Sequence, residues 1–215
     1  MSASRRRSAT PSSPGSLAAL ILAAGRSRRF GGAKLLAELR GRPLLSYVLD
    51  VAKAGRASGL LDDALIVIAA EDSGVAALAR SARVRWVINP EPDLGLSTSL
   101  RCGLGALPAD TGAALVLLGD QPMIRLDVVA RLADAWRAHE GGILRPRYAG
   151  APEIPGHPVL LDRAVWSLAD RLEGDAGLGP VLASEAAEVT TVDVPGTNPD
   201  VDTPADLHLL NGPAS

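Results

Sequence analysis

A short segment near the N-terminus combines glycines with basic side chains in a way that suits the binding of a polyphosphate. From Ala23 to Lys34 the chain reads AAGRSRRFGGAK, with three glycines, three arginines and one lysine in twelve residues. Glycine lets backbone N–H groups approach an anion closely, and arginine and lysine add charge and donors for phosphate oxygens. The dinucleotide fingerprint would need glycine at Ser27, and a Walker loop would need serine or threonine at Leu35. The residues alone therefore indicate either another kind of phosphate loop or a solvated basic turn.

Carboxylates at two other places could hold the metal ion that accompanies a nucleoside triphosphate. Asp120 directly follows an apolar run, where a carboxylate suits Mg²⁺, although Gly119-Asp120 is also ordinary turn chemistry. Asp200 and Asp202 are two residues apart, so an extended chain presents them on one side. Either could complete a metal site with Asp120. Asp202 or Thr203 could instead cap the helix that is predicted to follow.

Hydroxyl groups and a histidine supply the remaining polar candidates. Ser97 and Ser99 lie at the predicted start of a helix, where unpaired backbone N–H groups favour a capping hydroxyl or a bound anion. His157 precedes an apolar strand, and such a histidine is by itself most often structural. These residues need a second indication before a function can be assigned to them.

The elements that must position these residues follow from the hydrophobic pattern. Continuous apolar runs alternate with amphipathic segments, which predicts a three-layer α/β/α fold with a mostly parallel, Rossmann-like sheet covered on both faces. In such sheets ligands bind beyond the carboxyl ends of the strands, where the basic segment and Asp120 fall. Strands are predicted at 17–24, 65–70, 84–88, 113–118, 143–148, 157–161 and 189–194, and helices at 43–57, 74–80, 96–107, 126–139 and from 203 or 204 onward.

Composition limits the class of protein. The chain has 215 residues, of which 47% are apolar and 21% charged, and this length suits one α/β domain. Its formal net charge of −2 offers no general attraction to nucleic acid or to an anionic membrane. One cysteine, Cys102, excludes an internal disulfide and a cysteine-based zinc site. We therefore expect a single domain at 17–212 after a disordered basic tail at 1–16.

Localisation depends on how the basic N-terminus is interpreted. Arg5, Arg6 and Arg7 precede the apolar run 17–24, an order that resembles a signal peptide. The run is short, however, prolines interrupt the segment before it, and arginines follow it at once. No run reaches the roughly 18 apolar residues that a membrane span needs. The sequence therefore predicts a cytoplasmic protein.

Several motifs, in order along the chain, resemble those of the small nucleotidyltransferases, most closely the molybdenum cofactor cytidylyltransferases. Residues 22–34 resemble the signature L-A-[AG]-G-x-S-x-R-M-G-x-x-K, with Phe30 in place of methionine. LGDQP at 118–122 resembles the family's magnesium motif, and 200–207 resembles D-[IV]-D-T-P-x-D-L. The stretch 95–104 resembles a nucleotide-pocket element, and 156–158 matches the G-H-P element near the second substrate. The resemblance covers about residues 18–209.

The resemblance implies the nucleotide-diphospho-sugar transferase type of fold and a Mg²⁺-dependent transfer of CMP from CTP, or from another nucleoside triphosphate, to the phosphate of molybdopterin. By position, Lys34, Arg29 and Asp120 take the catalytic roles. Ala24 and Gln121 resemble the branch that uses CTP. The implied metal ligands are Asp120, Asp200 and Asp202, with Asp200 favoured over Asp202. The implied nucleotide-binding residues are Leu22, Ala23, Ala24, Gly25, Arg26, Ser27, Arg29, Gly31, Lys34, Ser97, Ser99 and Gly119, and the implied substrate-side residues are Gln121, Pro122, His157 and Asp175.

One departure from the family pattern keeps other functions open. Residues 174–177 resemble the start of G-D-x-G-A-R, but Leu178 and Gly179 replace the final alanine and arginine. Arg145 or Arg147 could take over the contact of the missing arginine with the acceptor. One alternative is the same chemistry on another phosphorylated small molecule, such as a sugar phosphate. Another is a non-catalytic maturation factor that delivers the cofactor to a molybdoenzyme, and a molybdoenzyme or its chaperone is the further partner that the resemblance implies.

Overall fold

A seven-stranded sheet lies between two layers of helices in the computed structural model of the chain, which describes residues 15–25, 27, 29–69, 73–139, 142–174 and 189–212. The strands are β1 (Ser16–Ala23), β2 (Glu38–Leu39), β3 (Arg42–Pro43), β4 (Asp63–Ala69), β5 (Arg85–Asn89), β6 (Thr111–Leu118), β7 (Ile143–Tyr148), β8 (Val159–Asp162) and β9 (Val189–Val194). The helices are α1 (Leu44–Ala57), α2 (Ser73–Ser81), α3 (Leu96–Ala106), α4 (Leu126–His139) and α5 (Pro204–Asn211). Short 3-10 helices cover Lys34–Leu36, Pro92–Leu94 and Arg163–Arg171.

The order of strands brings several strand ends to one edge of the sheet. The order is β5-β4-β1-β6-β8-β7-β9, and β8 is antiparallel to both of its neighbours while the other pairs are parallel. The carboxyl ends of β1, β6 and β7 therefore lie at the same edge as the amino end of β8. Strands β2 and β3 form a separate hairpin. The predicted class, a three-layer fold with a mostly parallel sheet, is confirmed.

Both faces of the sheet are buried, which explains the continuous apolar strands. One face packs against α1, α2 and α4, and the other packs against α3 and the 3-10 helix at 163–171. In β1, for example, Leu17 and Ile21 contribute to the first cluster and Leu20 and Leu22 to the second. A third, small cluster joins Phe30 to the β2–β3 hairpin, the start of α1 and α5. Because both faces of the sheet are buried, the central strands must carry apolar side chains on both faces.

The predicted elements agree with the structure to within two residues, and α4, β7 and β9 have the predicted bounds. The tail was expected to include Ser16, but Ser16 begins β1 and pairs with Thr111, so that boundary was wrong. Residues 1–14 lie outside the described residues. The β2–β3 hairpin was not predicted, because strands of two residues are too short to show an alternating pattern. Within the described ranges, no helix combines the length and the apolar character needed to cross a membrane.

We expect close packing of α3 on the sheet to depend on Gly103. A Cβ atom there would lie 2.5 Å from Leu20 Cδ1 and 2.8 Å from Val67 Cγ2, whereas nothing lies within 4 Å of a Cβ at Gly105. Gly103→Ala should lower the free energy of unfolding by about 1–3 kcal/mol because buried neighbours must shift. Gly105→Ala should raise it by about 0.4–1 kcal/mol, since only the flexibility of the unfolded chain changes. Urea denaturation measures both, and equal effects of the two substitutions would contradict the packing described here.

Candidate active site

The candidate site lies where β1 and β6 end side by side. The Gly119 N–H donates to the Leu22 carbonyl over 3.0 Å, which fixes the loop after β6 against the end of β1. A Cβ at Gly119 would lie only 3.2 Å from that carbonyl, so glycine permits the close approach. Asp120 directly follows Gly119, and the basic segment at 23–34 directly follows Leu22. The two motifs predicted to act together are therefore neighbours in the fold.

The basic segment contains a turn that is closed by hydrogen bonds between its own backbone groups. The N–H groups of Phe30 and Gly31 donate to the Ser27 carbonyl over 3.0 and 3.2 Å, and Ser27 and Gly31 have φ angles of +50° and +75°. Phe30 packs against Leu39 and its neighbours in the third cluster, so an apolar residue at this position anchors the turn. Arg26 lies outside the described residues.

A cluster of four charged side chains joins three segments of the chain. Lys34 Nζ donates to Asp120 Oδ2 over 2.6 Å and to Asp202 Oδ1 over 3.3 Å, and Arg29 donates to Asp202 Oδ2 over 2.7 Å. The Lys34 side chain is only 10% exposed, whereas that of Arg29 is 79% exposed. Because an ion pair is worth more when water is excluded, the Lys34–Asp120 contact dominates the cluster and the Arg29 contact is weakly held.

The two acids near the C-terminus have different surroundings. Asp200 Oδ1 accepts a hydrogen bond of 2.5 Å from Gln121 Nε2. Burial raises the pKa of Asp200 above its usual value, and the charges of Asp120 and Asp202 act in the same direction, whereas Gln121 and Lys34 oppose the shift. The Asp202 side chain faces Lys34 and Arg29 instead. The two carboxylates thus contact different partners, and their expected position on one side of the chain stays a prediction.

Thr203, and not Asp202, caps the last helix. Thr203 Oγ1 accepts from the Asp206 N–H over 3.2 Å, and Asp206 Oδ2 accepts from the Thr203 N–H over 2.7 Å, which forms a capping box. The Asp202 N–H also donates to Asp206, over 3.0 Å. The cap therefore fixes the backbone at Asp202 and leaves its carboxylate free to reach the basic side chains.

The donor set fits a magnesium ion bound together with a triphosphate. Asp120 and Asp202 both contact one ammonium group. The pKa of Asp200 is raised mainly by burial, and the charges of these two carboxylates raise it further. Among the described residues, no group of three or more His, Cys, Asp or Glu side chains is arranged as a complete metal site. Mg²⁺ needs only one or two carboxylates when phosphate oxygens supply further ligands. The choice between Asp200 and Asp202 as the partner of Asp120 stays a prediction.

Hydrogen bonds connect this cluster to the start of β8. Asn198 Nδ2 donates to Gln121 Oε1 over 3.0 Å and to the His157 carbonyl over 3.2 Å, and the Tyr148 hydroxyl donates to that same carbonyl over 2.8 Å. The Val201 N–H donates to the Asp120 carbonyl over 3.0 Å. Gln121 and His157, both predicted as substrate-side residues, are thus parts of one network.

Asn198 and Tyr148 were missed as members of this network. Asn198 stands two residues before Asp200, and Tyr148 ends a strand at the ligand-binding edge. Position gave a signal for both, but their partners come from distant parts of the chain.

Ser97 and Ser99 face different surroundings at the start of α3. Ser99 Oγ and Thr98 Oγ1 accept from Asn89 Nδ2 over 3.0 and 2.9 Å, so the Ser99 hydroxyl is held inside the fold. Ser97 Oγ is buried and has no hydrogen-bond partner among the described residues. The Ser97 residue is part of the lining of a narrow cavity of about 10 Å³. Apart from Ser97 and His157 this lining is apolar, and it consists of Leu22, Leu96, Leu100, Val116, Leu118 and Leu172.

A second, wider pocket of about 260 Å³ lies beside β7 and β9. Arg147 makes two hydrogen bonds to Asp193, of 2.6 and 2.9 Å. Arg145 borders the same pocket and has no ion pair within the described part of the chain. The other lining residues are Pro146, Pro152, Glu153, Ile154, Pro155, Gly156 and Thr191.

The predicted site residues fall into three groups. Gathered around Lys34 or in the hydrogen-bonded network beside it are Arg29, Asp120, Gln121, Asp200, Asp202 and His157. Lining the edge of the sheet, or in loops at that edge, are Leu22, Ala23, Ala24, Gly25, Ser27, Gly31, Ser97, Gly119 and Pro122. Ser99 is directed away, toward Asn89, and Arg26 and Asp175 lie outside the described residues.

Comparisons with known proteins agree with this arrangement. Residues 19–200 match the family model described as the MobA-like NTP transferase domain. Over 129 residues the chain is 36% identical to the bifunctional protein GlmU of Sorangium cellulosum, an alignment that covers 57% of this chain and 26% of that protein. The chain thus spans about a quarter of the length of the curated relatives it matches.

Solved structures resemble the whole fold. The crystal structure of Rv0371c from Mycobacterium tuberculosis H37Rv superimposes with a TM-score of 0.75 at 30% identity and covers 92% of this chain and 98% of its own. The manganese complex of Rv0371c superimposes with a TM-score of 0.73 at 29% identity and covers 93% of this chain and 100% of its own.

The stability of the fold should depend on the protonation of His157 in mild acid. Burial lowers the pKa of His157 from 6.5 to about 4, although the nearby Asp120 charge and the Val116 carbonyl oppose the shift. The unfolded chain therefore binds a proton more readily, so this contribution to stability is complete above pH 6.5 and is lost as the pH falls toward 4. We expect wild type to lose about 1–3 kcal/mol more than His157→Gln over this range.

Urea denaturation at several pH values measures this difference. His208→Gln, which removes an exposed histidine of α5, is the matched control and should keep the wild-type pH profile. A His157→Gln profile that runs parallel to wild type between pH 4 and 6.5 would contradict the prediction.

Proposed function

The chain belongs to the MobA-like NTP transferase domain family, and from this premise we propose that it transfers CMP from CTP to the phosphate of molybdopterin and releases pyrophosphate. The observation that carries the proposal is the cluster at the ends of β1 and β6, where Lys34 and Arg29 meet Asp120 and Asp202. Two cations that can bind phosphate oxygens, Lys34 and Arg29, are hydrogen-bonded to two carboxylates that can bind a metal ion, Asp120 and Asp202. The manganese complex of Rv0371c supports a divalent metal in a related protein.

The reaction needs no covalent intermediate with the protein. An oxygen of the acceptor phosphate forms a bond to the α-phosphorus of CTP, the bond from that phosphorus to the bridging oxygen of the β-phosphate breaks, and pyrophosphate leaves. Such transfers depend mainly on positioning and on the neutralisation of charge. When bound, Mg²⁺ supplies positive charge next to the phosphate oxygens.

The side chains of the cluster exchange partners when the substrate binds. Phosphate oxygens replace the carboxylates as acceptors for Lys34 Nζ and for the exposed Arg29 guanidinium, so that both cations stabilise charge on the transferring and leaving groups. Asp120 is thereby released to serve as a metal ligand, with Asp200 or Asp202. Gln121 holds Asp200 in place, and the capping box holds the backbone of Asp202.

Nucleotide and acceptor preference rest on separate features. Ala24 and Gln121 favour CTP through their resemblance to the branch of the family that uses it. For the acceptor, Leu178 and Gly179 stand where the family has alanine and arginine, and they lie outside the described residues. Arg145 can supply the missing positive charge because, unlike Arg147, it borders the wide pocket without an ion pair to a described residue.

The same departure favours a second candidate, in which the chemistry is unchanged and the acceptor is another phosphorylated small molecule, such as a sugar phosphate. A screen of nucleoside triphosphates against molybdopterin and sugar phosphates separates the two by pyrophosphate release. A carrier that only binds the cofactor would release none. The buried Lys34–Asp120 pair argues against a carrier, because such a protein has no need of a metal-phosphate centre.

Lys34→Ala should lower the rate of Mg²⁺-dependent pyrophosphate release at least about 100-fold, because it removes the buried cation that faces the phosphates. The chain has one other lysine, so Lys53→Ala, on the exposed side of α1, is a matched control and should keep the wild-type rate. Asp120→Asn should reduce the rate to a similar extent and weaken the response to added Mg²⁺. Circular dichroism checks that each variant is folded, and full activity in Lys34→Ala would refute the role assigned to this residue.

Arg145→Ala should raise the KM for the acceptor about 10-fold or more, as expected when a charged hydrogen bond is lost, and leave the KM for CTP within about twofold. Arg147→Ala is the control on the same strand, because its guanidinium is already paired with Asp193. Steady-state kinetics with either substrate varied separate the two constants. A larger effect of Arg147→Ala than of Arg145→Ala would reverse the assignment.

A further inference from the structure

Three large, exposed apolar side chains come from β5 and the segment after it, at one edge of the sheet. No segment of the described residues pairs with the outer side of β5. Trp86 and Ile88 belong to the strand, Leu94 belongs to the 3-10 helix that follows it, and these residues are 39%, 46% and 56% exposed. Single exposed apolar side chains are common, but a group of them beside an unpaired strand edge indicates a surface that another chain covers.

The edge strand has few of the features that keep such edges from pairing. Charged side chains, prolines and bulges on an edge strand discourage the addition of another strand. In β5, which reads RWVIN, the one charged residue is Arg85, and its guanidinium donates to the Asp63 carboxylate on the neighbouring β4. That charge is thus paired within the same sheet. The strand is therefore suited to pairing with a further strand.

The exposed side chains of β5 lie on one face of the sheet. Val87 packs in the second cluster, on the face covered by α3. Because successive side chains of a strand point to opposite faces, Trp86 and Ile88 lie on the face covered by α2. The Arg80 guanidinium of α2 lies over the Trp86 ring, 5.4 Å from its centroid. The exposure of Ile88 shows that α2 leaves the outer part of this face open.

A second copy of the chain fits this edge. Two copies related by a twofold axis perpendicular to the sheet pair their β5 strands antiparallel, and each residue then lies opposite one that shares its face. The pairing centred on Val87 uses all five residues of the strand in both copies. It sets Trp86 of one copy opposite Ile88 of the other, on both sides of the axis. Aromatic and β-branched residues form favourable cross-strand pairs.

Other centres of pairing fit less well. Pairing centred on Trp86 would bring Val84 opposite Ile88, although Val84 is buried in the core of its own chain. Pairing centred on Ile88 would set Pro90 opposite Trp86, and proline has no N–H to donate. The residues of the strand therefore favour the register centred on Val87.

Opposite charges flank the apolar centre in this register. Arg83 lies two residues before the start of β5, Glu91 lies two residues after its end, and both residues are exposed. In the register centred on Val87, Arg83 of one copy lies opposite Glu91 of the other, and the twofold axis repeats this pair. A parallel pairing would instead bring like charges together. Charge complementarity thus favours the antiparallel arrangement.

We propose that β5 is a dimer interface, at which two copies of the chain join their sheets through antiparallel β5 strands centred on Val87. Two seven-stranded sheets become one continuous sheet. Strand β4 separates β5 from β1, so the cluster around Lys34 stays accessible in each copy, and the two clusters lie at opposite edges of the joined sheet. The interface does not involve the reaction, so its tests are independent of the proposed function.

Sedimentation equilibrium over about 1 to 100 µM protein tests the interface. We expect wild type to dimerise and Ile88→Lys to have a dissociation constant at least about 10-fold higher, because the substitution buries an unpaired charge. Leu209→Lys is the matched control: this leucine is 77% exposed on α5, and its substitution should change the constant by less than about twofold. A wild-type chain that stays monomeric throughout this range, or an Ile88→Lys variant that dimerises as tightly as wild type, would overturn the proposal.

Charge reversal tests the register. Arg83→Glu and Glu91→Arg should each raise the dissociation constant about 3- to 10-fold at low salt, because each sets like charges opposite one another. The double variant should return to within about twofold of wild type, since the two charges only exchange places. If the losses simply add in the double variant, these residues do not face each other and the register is wrong.

A disulfide tests the centre of the pairing. Cys102 is the only cysteine of the chain, so Cys102→Ser gives a cysteine-free background. In this background Val87→Cys places two thiols on directly opposite residues, with Cα atoms about 4.5–5.5 Å apart, which suits a disulfide. Oxidation should therefore give a covalent dimer on a non-reducing gel. Arg85→Cys is the control, because its two copies lie about 13 Å apart along the strands. Cross-linking of Arg85→Cys but not of Val87→Cys would contradict the proposed centre.

Discussion

The buried ammonium of Lys34 is the constraint on which the site depends. A charge that is nearly removed from water must be paired, and the partners of Lys34 come from the end of β6 and from the segment before α5. The Val201–Asp120 backbone hydrogen bond joins those two segments to each other as well. The Lys34 side chain, near the start of the domain, thus holds the end of β6 and the segment before the last helix next to each other. The exposed Arg29–Asp202 pair adds a contact that water and salt weaken, so it can open first.

The same side chains hold this part of the fold together and carry the proposed chemistry. Lys34, Arg29, Asp120 and Asp202 neutralise one another in the structure. In the proposed reaction, phosphate oxygens would replace the carboxylates as partners of the two cations, and the released carboxylates would hold the metal ion. Each charge would then keep a partner of opposite sign. The neutral amide of Gln121 holds the third acid, Asp200, next to this cluster.

Much of this organisation was predictable, for reasons that differ between elements. Strands buried on both faces leave continuous apolar runs, and α4 shows its helical spacing clearly, so their bounds were found from local pattern. Strand β8 lies antiparallel between β6 and β7. Its apolar run predicts a buried strand but does not show in which direction the strand runs or which strands it pairs with. Ser97 and Ser99 are the same residue type at the start of one helix, and only the position of Asn89 in the fold shows that Ser99 has a hydrogen-bond partner there. Likewise, Asp202 and Thr203 were both reasonable caps until the contact with Lys34 was known. A short stretch of sequence does not show which distant residue each of these side chains contacts.

The reversed direction of β8 divides the ligand-binding edge between two kinds of chain end. The parallel strands bring the residues that follow them, including the basic segment at 23–34 and Asp120, whereas β8 brings the residues that precede it, including His157. Residues 149–158 connect β7 to β8 at this edge, and both ends of this loop are separate from the basic segment. In the proposed reaction, substitutions or insertions there would reshape the half of the edge assigned to the acceptor and leave the half assigned to the nucleotide unchanged. The fold would in this sense be modular, with a constant donor side and an adaptable acceptor side built on a single sheet.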